Sequence, residues 1–454
     1  MFTTINPTSG ESIATYPTLT TPEMRAALRA SEKAWQAWRR TTFAERASLL
    51  RVVGRLLRER ADRYGHLMAL EMGKPIAGGR AEAEKCGTAC DYYADNAERF
   101  LADEVIATDA SRSYIHYEPI GPVLAIMPWN FPFWQVLRVA APTLMAGNVM
   151  VLKHAANVAG CALAIEELFR DAGFPAGVFQ NLRVDHVQLR AAIRNPAIRA
   201  VTLTGSTRAG RTVAKQAGDS LKKTVLELGG SDAYVILADA DLELAAEACV
   251  TSRLINTGQS CIAAKRFVVV DAVRAEFEQR VVERMKQAKM GDPLDASNSV
   301  GPLARHDLRD TLHDQVVRSM AKGARCIHGG TVPAGPGAFY PPTVLTDVAK
   351  GMAAYEEELF GPVAAIIPVK NEKAAIKVAN DSVYGLGGAV FTRDAERGER
   401  IAATELSAGS CFVNAFVRSD ARLPFGGTRE SGYGRELSRA GIMEFVNVKT
   451  VYIK

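Results

Sequence analysis

Apolar residues recur at helical spacing between about residues 22 and 100, which predicts amphipathic helices with one stripe turned to a core. Thr21-Pro22 and Thr42-Phe43 mark two helix starts, each with a hydroxyl side chain placed to cap a first turn. After Ile120 the period changes. Residues 123–127, 149–152, 200–203 and 224–226 are short, almost unbroken apolar runs, and such runs predict parallel strands buried on both faces. Helical patterns at 160–172 and 208–217 separate them. A second series follows, with strands expected at 234–237, 266–270, 363–369, 387–391 and 409–413 and helices at 242–251, 275–287, 312–322 and 372–380. The alternation predicts an α/β fold with two sheets, divided near Gly229-Gly230. The last run, 448–453, alternates, and predicts a strand that pairs with another element or another subunit.

Length and composition narrow the class. A chain of 454 residues is long enough for two or three domains, and 48% hydrophobic with 23% charged residues is an ordinary globular mixture. The 55 basic and 50 acidic residues are interspersed, so no basic face for nucleic acid is expected. The most apolar zone, 121–152, is broken by prolines, asparagines and Arg138, which argues for buried core and against a membrane span. The first residues carry neither a basic region nor an apolar core of a signal peptide. Seven cysteines, an odd number at irregular spacing, predict free thiols in a reducing, cytoplasmic setting and no metal site.

Five segments are candidates for chemistry. In Gly258-Gln259-Ser260-Cys261 a thiol follows a glycine among small residues; core filling and nucleophile are both open readings. Glu227, in Leu226-Glu227-Leu228-Gly229-Gly230, is a lone carboxylate at an apolar strand end, either a general base or a structural ion pair. Asn130, between Pro128 and Pro132, is a fixed amide donor suited to an oxyanion, or the cap of the following helix. Thr204-Gly205-Ser206 is a strand-to-helix turn that can receive phosphate oxygens, although it matches neither common nucleotide fingerprint. Glu358-Leu359-Phe360-Gly361-Pro362 places a carboxylate and an aromatic ring before a strand, where they can hold a ribose diol.

In this order, together with Leu152-Lys153-His154-Ala155, Pro424-Phe425-Gly426-Gly427 and Ser431-Gly432-Tyr433-Gly434-Arg435-Glu436, the segments closely resemble the aldehyde dehydrogenase superfamily over essentially the whole chain. Within it the chain resembles the compact bacterial succinate-semialdehyde dehydrogenases. The resemblance implies two Rossmann-like domains: cofactor-binding residues 1–101 and 120–229, a catalytic domain at 230–429, and an oligomerisation arm from 102–119 and 430–454 in a homodimer or homotetramer. It implies that Cys261 attacks the aldehyde, that Asn130 and the Cys261 amide hold the oxyanion, and that Glu227 activates water to release the acid. Lys153 and Glu358 would hold the riboses, Thr204, Gly205 and Ser206 the pyrophosphate, and Trp129 and Phe360 the nicotinamide side of an NAD or NADP cofactor. The implied substrate is succinic semialdehyde or another aldehyde of that kind. A CoA-acylating relative would share Cys261 and Asn130 but lack the base at Glu227, and a non-catalytic relative would lose the thiol or the base.

Three positions depart from the family pattern. Where NAD-preferring relatives carry a glutamate three residues after the lysine, this chain has Ala156; losing that carboxylate removes repulsion of a 2′-phosphate, so NADP is expected to serve at least as well as NAD. Ala263 stands where some relatives have a second cysteine, so no disulfide partner is expected beside Cys261. Arg138, eight residues after Asn130, matches a substrate-carboxylate arginine of relatives, while a second such position is Ile255; Arg418 or Arg422 is expected to compensate.

Overall fold

The computed structural model describes all residues, Met1–Lys454. A six-stranded sheet runs in the order Gly432–Tyr433, Lys223–Glu227, Ala200–Thr204, Pro122–Met127, Val149–His154 and Phe179–Asn181. A seven-stranded sheet runs Arg325–His328, Thr343–Thr346, Val363–Val369, Ala264–Val270, Asp232–Ile236, Gly387–Phe391 and Ser410–Val413. All neighbours in both sheets are parallel except the two end pairs, Gly432–Tyr433 and Arg325–His328. The central strands are buried at every position because helices cover both faces, which is why their sequences are unbroken apolar runs instead of alternating ones. The expected strands and helices are therefore present, with ends displaced by a few residues.

The N-terminal helices begin where the hydroxyl residues indicated. Thr20 and Thr42 each close a reciprocal capping box, with Glu23 and Glu45, ahead of helices Thr21–Trp38 and Phe43–Glu59. These helices pack with the six-stranded sheet in the largest apolar cluster, of 56 buried residues, and Cys261 packs at its edge. Short strands escaped the pattern: the hairpin Phe2–Ile5 with Ser12–Tyr16, and Phe179–Asn181, Arg325–His328 and Thr343–Thr346 are too brief for a period to register.

The terminal strand Val446–Ile453 pairs antiparallel with Arg112–Pro119 of the same chain, and Glu104–Val105 adds a third strand. The oligomerisation arm was expected to take in all of 430–454. Gly432–Tyr433 pairs with Glu227 and Leu226 in the first sheet, and only the residues from Val446 join the three-stranded sheet. No helix is long and apolar enough to cross a membrane.

What the fold arranges is a line of strand ends. Pro122–Met127, Val149–His154, Ala200–Thr204 and Lys223–Glu227 are parallel neighbours, so the Pro128–Pro132 loop, Lys153, the turn at Gly205 and Glu227 all leave the sheet at its carboxyl edge. Ligands of open α/β sheets sit at such an edge. Cys261 arrives from the other sheet, on the turn that leads into Ala264–Val270.

Candidate active site

The turn carrying Cys261 is strained and heavily braced. Asn256, Thr257 and Gly258 are consecutive left-handed residues with φ of 53°, 56° and 75°. For the β-branched Thr257 that conformation is unfavourable and persists only where neighbours impose it. At Gly258 no side chain is possible: a Cβ would lie 2.3 Å from the Gly361 carbonyl carbon. That contact joins Gly-Gln-Ser-Cys to the Gly361-Pro362 turn. Asn256 Nδ2 donates to the Asn130 carbonyl at 2.6 Å, Thr257 Oγ1 accepts from Gly301 N at 3.0 Å, and Gln259 Oε1 accepts from Ala304 N at 2.9 Å. Two buried cations complete the bracing. Arg253 Nη2 donates to the Gly258 carbonyl at 2.5 Å, and Lys265 Nζ donates to the carbonyls of Cys261 at 2.6 Å and Ser260 at 2.9 Å.

Electrostatics hold the resting thiol neutral. Burial pushes Cys261 up to about 12, against the opposing pull of Arg138 and Lys265. Cys261 is nonetheless partly exposed, unlike Cys86, Cys90, Cys161 and Cys249, which are buried; all seven cysteines are free, and Ala263 leaves no thiol beside it. The Cys261 amide hydrogen has no acceptor in the chain. Asn130 is buried and donates through Nδ2 to the Gln259 carbonyl at 3.1 Å, which leaves its second amide hydrogen uncommitted. It does not cap the helix Trp134–Met145. Glu82 does, accepting from Phe133 N and Trp134 N at 2.8 and 2.9 Å.

Glu227 is 2% exposed, and neither carboxyl oxygen has a hydrogen-bond partner. Burial, with nearby Glu436 adding to it, holds the group well above the usual carboxylate range. An ion pair is therefore not its role. The ion pair belongs to Arg138 and Glu436, buried beside it. Glu436 reaches this position because Gly432–Tyr433 zips onto Glu227, after which the chain turns back. Arg138 also donates to Thr204 Oγ1 at 3.2 Å and lies 4.9 Å over the Phe425 ring.

Polar groups gather along the carboxyl edge of the sheet. Lys153 is half-buried, its side chain lacks any hydrogen bond or ion pair within the chain, and its ammonium form is disfavoured by burial alone. Beside it Ala156 opens a short 3-10 turn, and Asn157 Nδ2 is buried without a partner. Glu358 accepts from Gly230 N at 3.0 Å and lies 3.4 Å from Lys265 Nζ. A Cβ at Gly229 would meet its other oxygen at 2.5 Å, so the glycine makes room for this carboxylate. Trp129 and Phe360 stand edge to face, 5.8 Å apart. Gly205 N is bonded to the Glu227 carbonyl and Ser206 caps the helix Thr207–Gly218, leaving the helix start open. Thr204 differs from expectation: it is buried and its hydroxyl serves Arg138, not a ligand at the sheet edge.

A separate cavity of about 540 Å³ reaches Cys261. Phe131, Trp134, Gln135, Arg138, Ile262 and Phe425 are on its wall; Asn130 and Glu227 are not. Of the arginines expected to meet a substrate carboxylate, Arg138 and Arg418 line it. Arg422 does not. It is tied to Asp420 at 2.7 Å, with its side chain 75% exposed, because the two residues close a local turn. Lys85 and Lys265 were missed in the sequence, and Glu436 stood only at the end of a motif, with no role assigned to it. For Lys265 the only signal was its place four residues after a candidate nucleophile.

The aldehyde dehydrogenase family pattern matches residues 1–451. A Synechocystis relative named "Probable succinate-semialdehyde dehydrogenase", with NADP(+) in its name, is 48% identical over 450 residues, 99% of each chain. An Escherichia coli relative named succinate semialdehyde dehydrogenase, NAD(P)+, is 46% identical over 99% of this chain and 97% of its own. The crystal structure of succinic semialdehyde dehydrogenase from Streptococcus pyogenes, in complex with NADP+, superposes with a TM-score of 0.97 at 38% identity and covers 100% of both chains.

Proposed function

The chain belongs to the aldehyde dehydrogenase family, and we propose that Cys261, Asn130 and Glu227 oxidise succinic semialdehyde to succinate with NADP or NAD. The observation that carries this reading is the pairing of a braced, cavity-facing thiol with a buried carboxyl group that has no partner of its own.

Cys261 Sγ bonds to the aldehyde carbon, and its proton passes to Glu227. Burial raises the proton affinity of this carboxylate, which makes its ionised form a stronger base than a carboxylate in water. The new oxyanion accepts hydrogen bonds from the Cys261 amide and the uncommitted hydrogen of Asn130, two donors already fixed before the reaction. The nicotinamide of the dinucleotide supplies the acceptor for the hydride that this adduct expels. What remains is a thioester, and a thiolate is a good leaving group from it. Glu227, ionised again after releasing the first proton to solvent, takes a proton from water as the water oxygen attacks the thioester carbon; the acid departs and the Cys261 thiolate recovers that proton.

The sheet edge fits the cofactor on its own features. Lys153 is an unpaired cation, Asn157 has an unpartnered donor, and Ala156 brings no carboxylate, a set that favours a 2′-phosphate. Glu358 and Lys153 would hold ribose hydroxyls, Gly205 and Ser206 the pyrophosphate, and Trp129 and Phe360 the nicotinamide side. The arm supports assembly into a homodimer or homotetramer, since its strands leave Val105, Val448 and Tyr452 exposed. Light scattering of the purified protein tests that assembly, and a monomer would overturn it. The cytoplasm is the setting this chemistry and seven free thiols suit.

The direct test is nicotinamide reduction with succinic semialdehyde and butanal, using NADP and NAD, with and without CoA. Succinate should form without CoA, faster than butyrate, and NADP should serve at least as well as NAD. A requirement for CoA, or about a tenfold advantage of NAD in kcat/KM, would overturn the corresponding part of the reading.

A further inference from the structure

Four cations line the cavity that reaches Cys261: Lys74, Lys85, Arg138 and Arg418. Two of them are already neutralised. Lys74 is buried in an ion pair with Glu82, the cavity's sole carboxylate, and Arg138 is buried in an ion pair with Glu436. A cation committed to a buried partner offers an incoming carboxylate little net attraction, and separating such a pair is costly. Arg418 has no ion pair, but it is exposed. Lys85 is different. It projects from the helix Ile76–Phe100, forms no ion pair, and is held in place by neutral groups alone. Its Nζ donates to Ser419 Oγ at 2.7 Å and lies 4.2 Å from the centre of the Trp134 ring.

We propose that Lys85 is the cation that binds the substrate's distal carboxylate, and so sets the enzyme's preference for a semialdehyde over a neutral aldehyde. The proposal rests on the reading of succinic semialdehyde as substrate. The chemistry is that of a charge-assisted hydrogen bond from an ammonium with unused donors, in a site walled by apolar rings where water competes poorly. Trp134 orients the ammonium and packs against substrate methylenes. Burial, then Arg138, lowers the Lys85 ammonium to about 8, so the group occupies a place where positive charge is costly until an anion arrives. Glu82 and Asp420 act in the opposite sense but form no ion pair with it.

The test compares Lys85→Met and Lys85→Arg with the parent enzyme on succinic semialdehyde and butanal. Lys85→Met should raise KM for the semialdehyde at least about tenfold more than KM for butanal, with kcat changed much less than KM, and Lys85→Arg should restore most of the difference. In a second measurement without turnover, succinate should protect Cys261 from iodoacetamide in the parent and fail to do so in Lys85→Met. Thermal unfolding with bound NADP confirms that each variant is folded. Equal effects on both aldehydes, or undiminished succinate protection, overturns the proposal. If the parent itself shows no preference for succinic semialdehyde over butanal, the substrate reading fails first and the role of Lys85 falls with it.

Discussion

Along the carboxyl edge of the six-stranded sheet, Lys153 is half-buried with no acidic partner; in the cavity that reaches Cys261, Lys74 and Arg138 are buried deeper and each is paired with a carboxylate. Both regions look cationic when residues are counted. The first keeps its charge available for a ligand, whereas in the second only Lys85 and Arg418 remain unpaired. A buried ion pair is close to neutral as seen from a distance, and its attraction is largely consumed in offsetting the desolvation of its own two members. Lysine or arginine content therefore says little about anion binding until the partners are known.

The largest effect that should separate the two regions is on stability. Arg138→Met leaves Glu436 buried and unpaired beside Glu227, and should cost roughly 3 kcal/mol or more in denaturant unfolding at pH 8. The loss should shrink towards pH 5, because the orphaned carboxylate can then take up a proton. Lys153→Met orphans nothing and should leave the unfolding midpoint unchanged or higher. Comparable losses in the two variants would erase the contrast.

Next comes the carboxyl group of Glu227, buried near the Arg138–Glu436 pair. Glu227→Gln should lower turnover by roughly two to three orders of magnitude while sparing an initial burst of reduced nicotinamide, since acid release needs the base more than adduct formation does. The variant should also be more stable than the parent at neutral pH. The parent's folded-state pKa is raised, so between the unfolded value near 4.5 and the folded one, the unfolded chain ionises while the fold holds the proton. Parent stability thus falls as pH rises through that window, and the difference from Glu227→Gln should vanish below about pH 4. An unchanged difference at acid pH would point to packing instead of proton linkage.

At the sheet edge, Lys153→Met should raise KM for NADP by about tenfold and KM for NAD by less, because one charge-assisted contact to the 2′-phosphate is lost. Ala156→Glu should move preference the same way by restoring a carboxylate. Steady-state kinetics with both cofactors measures each, and parallel changes for NADP and NAD would refute a role in selecting the 2′-phosphate. The smallest effect belongs to Arg422→Ala. Its partner Asp420 is a near neighbour at the surface, so stability should stay within about 0.5 kcal/mol and KM should not move.

Much of the candidate site was legible in the chain because residue type marks its tightest backbone constraints. Gly258 must be glycine to pass Gly361, and Pro128 and Pro132 fix the loop that carries Asn130. Glu227 stood out as a lone carboxylate in an apolar strand, and the fold leaves it without a partner for the same reason. Substrate-site charge was less legible. Arg138 and Arg422 were reasonable candidates by position, yet one is paired with Glu436, 298 residues away in sequence, and the other with Asp420 two residues away. Lys85 gave no signal, because its helix places it against Ser419 and Trp134 only after three distant segments pack together.

The sequence by itself determined the alternation of buried strands and helices, the candidate thiol, amide and carboxyl groups, and the absence of a carboxylate at Ala156. Those depend on residue type and short-range period, which the chain carries at every point. Tertiary structure alone decided which charges are free. Pairing depends on what lies within a few ångströms, and folding brings Glu436 to Arg138 and Glu82 to Lys74 while leaving Lys85 and Lys153 without an acid.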